Sequence, residues 1–149
     1  MTHLRVCPFG CALAVLFALA LVPEASGEFR AGVAVRTVTP DPLLPVSGGV
    51  GPAQPTTHKI GDLTVRALVL DDGKTRVAVA SGDFLGFPGI LANKVRAKVP
   101  GIPAKNILIG ATHTHSAPDM FGFPSGENTT GADLAYIESV CQKTADVIN

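Results

Sequence analysis

The chain has 149 residues, of which 46% are hydrophobic and 16% charged, and its 12 basic and 12 acidic residues give a formal net charge of zero. This hydrophobic fraction is typical of a globular domain and excludes an intrinsically disordered chain. The balanced charge excludes the basic footprint of a nucleic-acid-binding protein, and the absence of tryptophan with a single tyrosine leaves few side chains on which bases could stack.

The N-terminal segment has the pattern of a secretory signal peptide. Residues 1–9 contain an arginine and no acidic residue, residues 11–22 form an unbroken apolar run, and small residues follow at 25–27. A helix that crosses a bilayer needs about 20 apolar residues, so this run is too short for a membrane anchor. We therefore predict that residues 1–27 are a signal peptide and that the protein is secreted or periplasmic.

Four segments have the composition of β-strands. They are residues 31–38, 63–70, 75–81 and 106–111. The second and third are joined by Asp71-Asp72-Gly73-Lys74, and an Asp-Gly pair is a strong hairpin signal, so these two strands are expected to be antiparallel neighbours. The fourth is mostly apolar, which predicts a strand buried on both faces.

Two helices are predicted. The first begins near Pro88 and ends at Pro100-Gly101, and Leu91, Val95 and Val99 recur along it every four residues. Because it lies between the third and fourth strands, it makes a βαβ unit with parallel strands. The second begins near Thr130 or Asp133, and its predicted apolar face is Leu134, Ile137, Val140, Cys141 and Ile148.

The elements together predict an α/β fold. The expected architecture is a mixed sheet with an antiparallel hairpin and a βαβ unit, forming the N-terminal part of a larger domain.

Residues 39–59 do not fit a helix or an inner strand, because they contain five prolines and three glycines. Loops of this length are uncommon unless they bind something or pack on a missing part, so we interpret this one as the wall of a site.

The segment most able to carry chemistry follows the last strand and reads Thr-His-Thr-His-Ser-Ala-Pro over residues 112–118. In an extended backbone the side chains of residues i and i+2 share a face, about 6.5–7 Å apart, so His113 and His115 can point into one site. Asp83 follows the parallel neighbouring strand to the same sheet edge, where open α/β sheets bind ligands. We therefore expect Asp83, His113 and His115 to converge.

Two imidazoles and a carboxylate suit a divalent metal such as zinc, and a pair of hydrogen-bonded core histidines is the alternative. The His-x-His-x-Asp-His arrangement of metallo-β-lactamases is excluded, because Ala117 and Pro118 stand where it needs Asp and His. Amidohydrolase barrels place a His-x-His after their first strand, whereas at least two strands and a helix precede this one. A Gly-x-Ser-x-Gly nucleophile elbow does not occur in the sequence.

The chain resembles the N-terminal domain of the neutral/alkaline (non-lysosomal) ceramidase family in four pieces. They are Ala31-Gly32-Val33-Ala34 leading to Thr39-Pro40, Arg66 to Gly73, Ser81-Gly82-Asp83-Phe84, and Ala111 to Pro118. The Thr-His-Thr-His-Ser-x-Pro piece is the specific one, although the family usually has Gly where this chain has Ala117. The resemblance implies a zinc amidohydrolase that cleaves the N-acyl bond of ceramide to a sphingoid base and a fatty acid.

The resemblance also implies roles for the histidines. The family's first motif histidine is a zinc ligand and maps onto His113, whereas the second lies beside the metal, helps to stabilise the reacting amide and maps onto His115. The resemblance assigns no role to Asp83. We predict that Asp83 orients a ligand; the alternative is that it is only a turn residue at the end of a strand. Zn²⁺, a ceramide-like N-acyl lipid and contact with a membrane surface are the implied cofactor and partners. Phe121-Gly122-Phe123-Pro124, just after the motif, is the candidate substrate-facing loop.

The family completes its zinc site with another His, a Glu and a Tyr far downstream, beyond Asn149. Residues 28–149 are therefore expected to be a truncated N-terminal part of such a domain, binding zinc weakly and hydrolysing nothing alone. The only further imidazole in these residues is His58, which we interpret as an exposed loop side chain. Two alternatives stay open: a non-catalytic exported domain that binds lipid or another envelope component, and an inactive fragment.

Overall fold

A computed structural model of the chain describes residues 27–49 and 51–149, so the predicted signal peptide lies outside the described residues apart from Gly27. In chain order the elements are β1 (Arg30–Thr37), β2 (Thr64–Asp71), β3 (Arg76–Gly82), α1 (Gly89–Ala97), a 3-10 turn (Ala104–Asn106), β4 (Ile107–Ala111), β5 (Pro124–Gly126), β6 (Thr129–Thr130) and α2 (Leu134–Ile148). Among these residues, neither helix is long and apolar enough to cross a membrane.

The first four strands form one mixed sheet in the order β1-β2-β3-β4. β2 pairs antiparallel with both β1 and β3, and β3 pairs parallel with β4 through the α1 crossover. The β2–β3 turn forms because the Asp72 carboxylate accepts hydrogen bonds from the backbone N–H groups of Lys74 and Thr75, and because Gly73 takes φ 82°. The predicted α/β fold, with its hairpin and βαβ unit, is confirmed.

One face of the sheet carries the core. The residues of this face are small or β-branched and buried: Val65, Ala67, Ala78, Ala80 and Ile107. Both helices pack on it, and α2 contacts β1, β2 and β3. Alanine side chains at the sheet centre let α2 approach closely, and removing this apolar surface from water stabilises the layer.

The second helix begins one turn before it reaches the core. Asp133 is its N-cap, and the Asp133 carboxylate accepts a hydrogen bond of 2.8 Å from the backbone N–H of Tyr136. Leu134 is the first helical residue and is 79% exposed, so its assignment to the apolar face is wrong. The buried stripe starts at Ile137 instead.

None of the residues that the structure describes covers the opposite face of the sheet. Val33, Leu68, Val79 and Leu108 are cross-strand neighbours in one row over all four strands, and their exposed fractions are 80%, 37%, 46% and 64%. The prediction that β4 is buried on both faces is therefore wrong here, because the helices cover one face only. We call this apolar surface the outer sheet face.

Candidate functional site

The site is built at the edge where β3 and β4 end side by side. Gly82 and Ala111 are partners in the parallel ladder, and the backbone N–H of Thr112 donates to the carbonyl oxygen of Gly82 over 3.0 Å. This bond extends the pairing by one residue beyond β4. The chain segments that carry Asp83 and His113 therefore leave adjacent strands at one edge of the sheet.

His113 has a left-handed backbone conformation, and one nitrogen of its imidazole is hydrogen-bonded. Its φ is 64°, an uncommon conformation in which histidine is enriched among non-glycine residues. Its Nδ1 lies 2.7 Å from the carbonyl oxygen of Leu85. A carbonyl oxygen only accepts hydrogen bonds, so Nδ1 is protonated and donates, and in the neutral ring Nε2 keeps the free lone pair.

The two motif imidazoles are neighbours. The ring centroids of His113 and His115 lie 5.2 Å apart with an interplanar angle of 84°, and both side chains are exposed. The expected extended backbone is not what brings them together, since β4 ends at Ala111 and His113 adopts the left-handed conformation. The arrangement leaves two nitrogen-bearing rings open to solvent at the sheet edge.

The carboxylate of Asp83 accepts hydrogen bonds from two residues of β2. Its Oδ2 accepts hydrogen bonds from the backbone N–H and the hydroxyl of Thr64, at 2.9 and 2.8 Å, and from the Arg66 guanidinium at 2.7 Å. Burial would raise the pKa of Asp83, but the hydrogen bonds from Thr64 and the positive charge of Arg66 outweigh burial and hold the pKa of this carboxyl below its ordinary value. The carboxylate is thus held ionised in a contact that ties the end of β3 to the start of β2.

Across residues 27–49 and 51–149, no group of three or more His, Cys, Asp or Glu side chains is placed to hold a metal ion. Asp83 therefore does not join the imidazole pair in such a group. His58 lies in the loop between β1 and β2, where it is exposed and its Nδ1 is 3.4 Å from the hydroxyl of Thr57.

The long loop between β1 and β2 packs directly against the motif. The backbone N–H of Ser47 donates to the carbonyl oxygen of Ala117 over 2.9 Å. Gly48 takes φ 107°, and a Cβ at this position would lie 3.3 Å from both Cγ and Nδ1 of His115. Glycine is required here by both the backbone conformation and the contact, and the predicted wall does lie beside one imidazole.

Asp119 organises the loop that follows the motif, a role that the sequence analysis missed. Its carboxylate is buried and accepts hydrogen bonds from the backbone N–H groups of Phe121, Gly122 and Phe123, at 2.7, 3.1 and 2.7 Å. The rings of Phe121 and Phe123 stack with centroids 5.2 Å apart and stay partly exposed. The signal was present in the sequence, since an Asp shortly before a glycine favours such a turn.

The stacked pair lies close to the segment that fixes His113. A Cβ on Gly86 would come within 2.6 Å of the Phe121 ring, so that ring lies against the backbone next to Leu85. By contrast, Phe84 is fully buried and belongs to the hydrophobic core. The Phe121 ring therefore lies against the same backbone segment that holds the His113 imidazole.

Comparison with solved structures finds ceramidases. A ceramidase complexed with C2 superposes with a TM-score of 0.59 at 21% identity, covering 83% of this chain and 21% of that chain. A neutral ceramidase from Pseudomonas aeruginosa superposes with a TM-score of 0.58 at 19% identity, covering 82% of this chain and 21% of that one. The chain thus spans about a fifth of the length of these two proteins.

Comparisons of the sequence itself give no match. No family model matches the chain, and no curated protein does. At 19–21% identity, the structural likeness establishes the fold and does not assign the chain to a family by sequence. The described part of the chain therefore has a ceramidase-like fold.

Proposed function

We propose that this chain supplies part of the active site of a zinc-dependent hydrolase that cleaves the N-acyl bond of ceramide-like lipids. The observation that carries the proposal is the pair of exposed imidazoles of His113 and His115 at the sheet edge of a ceramidase-like fold. The signal-peptide pattern makes export, to the cell exterior or periplasm, part of the same proposal.

His113 fits the role of a zinc ligand. Its Nδ1–H donates to the carbonyl oxygen of Leu85 over 2.7 Å, which makes Nε2 the free nitrogen of the neutral ring. A ligating histidine commonly donates its other ring N–H to a carbonyl in this way, which fixes the ring orientation. Since the described residues offer no group of three ligands, the other ligands would come from elsewhere in the polypeptide. When bound, zinc would polarise the amide carbonyl and lower the pKa of a coordinated water.

His115 fits the role of a hydrogen-bond donor to the reacting amide. Its ring lies edge-to-face with that of His113, with the centroids 5.2 Å apart, so a carbonyl placed at His113 would be within its reach. A neutral imidazole N–H aimed at a developing oxyanion stabilises negative charge where it forms. Gly48 lies beside this ring, where an added Cβ would come within 3.3 Å of it.

The apolar surface beside the imidazoles suits a lipid amide. Phe121 and Phe123 are 48% and 42% exposed, and their stack is held in place by the buried carboxylate of Asp119. Partly exposed aromatic rings next to polar groups are typical of sites that take a largely apolar ligand in one orientation. The hydrocarbon next to the scissile amide would lie against the Phe121–Phe123 stack. The exposed edge of this stack would contact a membrane surface.

Zinc binding by the full chain tests the proposal directly. Competition with a chromophoric chelator is expected to show weak binding of a single zinc ion. His113→Ala should weaken it about tenfold or more, whereas His115→Ala should keep most of the affinity. His58→Ala is the matched control, since His58 is an exposed imidazole in the loop. An unchanged zinc affinity in His113→Ala would contradict the proposal.

Turnover gives a second test. With an incomplete ligand set in the described residues, we expect no release of fluorophore from a short-chain fluorogenic ceramide by the chain alone, with or without zinc. Hydrolysis that persists in chelator would contradict a zinc mechanism. Lipid binding without any zinc binding would favour the non-catalytic binding domain, and a non-cooperative melt would favour an inactive fragment.

A further inference from the structure

The short hairpin formed by β5 and β6 has a two-residue turn at its tip. The strands pair antiparallel with Gly126 opposite Thr129, so Glu127 and Asn128 form the turn. Asn128 takes φ 55°, the left-handed conformation that asparagine adopts more readily than most residues. Residues 126–130 are all exposed. The side chain of Asn128 therefore stands at a turn that is open to solvent.

Contacts near its base hold the hairpin in shape. The backbone N–H of Gly131 donates to the carbonyl oxygen of Phe123 over 2.9 Å. The hydroxyl oxygens of Ser125 and Thr129 lie 3.3 Å apart across the two strands. Each strand residue rises about 3.4 Å, so the tip lies about 10 Å beyond Phe123. A group attached to Asn128 would extend into solvent without displacing the aromatic stack or the core.

The sequence at the tip is an N-glycosylation sequon. Asn128-Thr129-Thr130 has the form Asn-x-Thr in which x is not proline, and this form marks the asparagine that receives a glycan in secreted proteins. So short a pattern needs a structural context, namely an accessible surface loop. The hairpin tip provides that context, because Asn128 and Thr130 are both exposed.

The other three asparagines of the chain differ from Asn128. The side-chain oxygen of Asn93 accepts a hydrogen bond of 2.9 Å from the Arg96 guanidinium. The side-chain amides of Asn106 and Asn149 donate to backbone carbonyl oxygens over 3.0 and 3.2 Å. Neither Asn93 nor Asn106 is followed two positions later by Ser or Thr. The sequon thus falls on the asparagine of an exposed turn, whereas the side chains of the other three contact the protein.

We propose that Asn128 is an N-glycosylation site, modified when the chain enters a eukaryotic secretory compartment. The sugar donor is an oligosaccharide carried on a polyprenyl diphosphate. The side-chain amide nitrogen of Asn128 bonds to the anomeric carbon of the oligosaccharide and gives up one proton to a base of the transferase. The bond from that carbon to the diphosphate oxygen breaks, and the diphosphate leaves with the electron pair. The inference rests on the export that is part of the proposed function, and it requires neither zinc nor hydrolysis.

Expression of the full chain in cultured mammalian cells, followed by mass measurement of the intact protein, tests the proposal. We expect one glycan per chain. Peptide-N-glycosidase should remove it and convert Asn128 to aspartate, which locates the site in a peptide mass spectrum. Thr130→Val keeps the shape of the side chain without the hydroxyl and should abolish the modification, whereas Thr130→Ser should retain it. The matched control is Thr129→Val, which leaves the sequon intact.

A second form of the chain, with a well-characterised cleavable signal peptide placed before Met1, separates glycosylation from export. Asn128→Gly removes the amide, suits the left-handed turn and should yield a folded chain without glycan. A glycan that persists in Asn128→Gly, or its absence from both forms of the wild type, would overturn the proposal. Modification of only the second form would support the site at Asn128 and contradict export through residues 1–27. Zinc affinity is measured on the enzymatically deglycosylated chain, so the result at Asn128 leaves the zinc proposal untouched.

Discussion

The Nδ1 atom of His113 lies 2.7 Å from the carbonyl oxygen of Leu85, which is 28 residues earlier in the chain. This contact decides which ring nitrogen is free. We predict that the neutral imidazole of His113 exists as the Nδ1–H tautomer. Long-range ¹H–¹⁵N correlation spectra should show an unprotonated Nε2. His58, which is exposed, serves as the reference, and an Nε2–H tautomer at His113 would contradict the assigned bond.

Asp83 should make the stability of the fold depend on acid pH. Its pKa in the folded chain is below the ordinary value of 3.8, so the folded state binds this proton more weakly than the unfolded state. The resulting stabilisation is complete above the unfolded value and is lost as the pH falls through the folded value. Asp83→Asn should reduce the free energy of unfolding by about 1–2 kcal/mol at neutral pH, near the low end because Arg66 is half-exposed.

Urea unfolding of the wild type and Asp83→Asn at several pH values measures this effect. The difference between the two should be constant at neutral pH and shrink below about pH 4. Glu127→Gln, a neutralised carboxylate at the exposed tip of the β5–β6 hairpin, should follow the wild-type curve. A difference that stays constant down to pH 2 would show that the hydrogen bonds, and not the charge, carry the effect.

Local sequence signals predicted the first four strands and both helices, because those signals act over a few residues. The Asp-Gly turn between β2 and β3 depends on side-chain bonds within the turn and on the positive φ of Gly73, both of which are readable from the sequence. The position of the histidines at a strand end follows from where the apolar run of β4 stops. These features needed no knowledge of the rest of the fold.

Features set by tertiary contacts could not be predicted. The left-handed conformation of His113 has no signal in the neighbouring residues, and its imidazole contacts the carbonyl of Leu85, which comes from a distant segment. The pairing of Asp83 with Arg66 depends on the exact register of β2 against β3, and the apolar side chain of Leu108 gave no indication that its face of the sheet would be open. The composition of a strand indicates which of its residues tolerate burial, whereas the elements packed on its two faces determine which residues are buried.

The carboxylate of Asp119 should be the main support of the Phe121–Phe123 loop. It is buried and accepts three backbone hydrogen bonds, and bonds to a charged acceptor contribute about 1.5–3 kcal/mol each. Phe121 and Phe123 are partly exposed, so water can satisfy some of the freed N–H groups, and Asp119→Ala should lower the free energy of unfolding by about 3 kcal/mol, less than the sum of three such bonds. Asp119→Asn keeps one acceptor oxygen and should cost about half as much.

Thermal and urea unfolding measure these losses, and the near-ultraviolet signal of the phenylalanines reports the stack. Asp146→Ala removes an exposed carboxylate from α2 and should change stability by no more than about 0.5 kcal/mol. If Asp119→Ala were as stable as this control, the loop would be held by the ring stack alone.

Gly48 and Gly49 are adjacent glycines, but substitution by alanine should destabilise the fold only at Gly48. Gly48 has φ 107°, and a Cβ there would lie 3.2 Å from Cδ1 of Leu85 and 3.3 Å from the ring of His115, whereas a Cβ on Gly49 would meet nothing within 4 Å. Gly48→Ala should therefore cost about 1–3 kcal/mol in backbone strain and displace the His115 ring. Gly49→Ala should change stability by no more than about 0.5 kcal/mol. Unfolding curves and the imidazole resonances of both variants test this, and equal effects at the two positions would mean that the loop does not hold His115 in place.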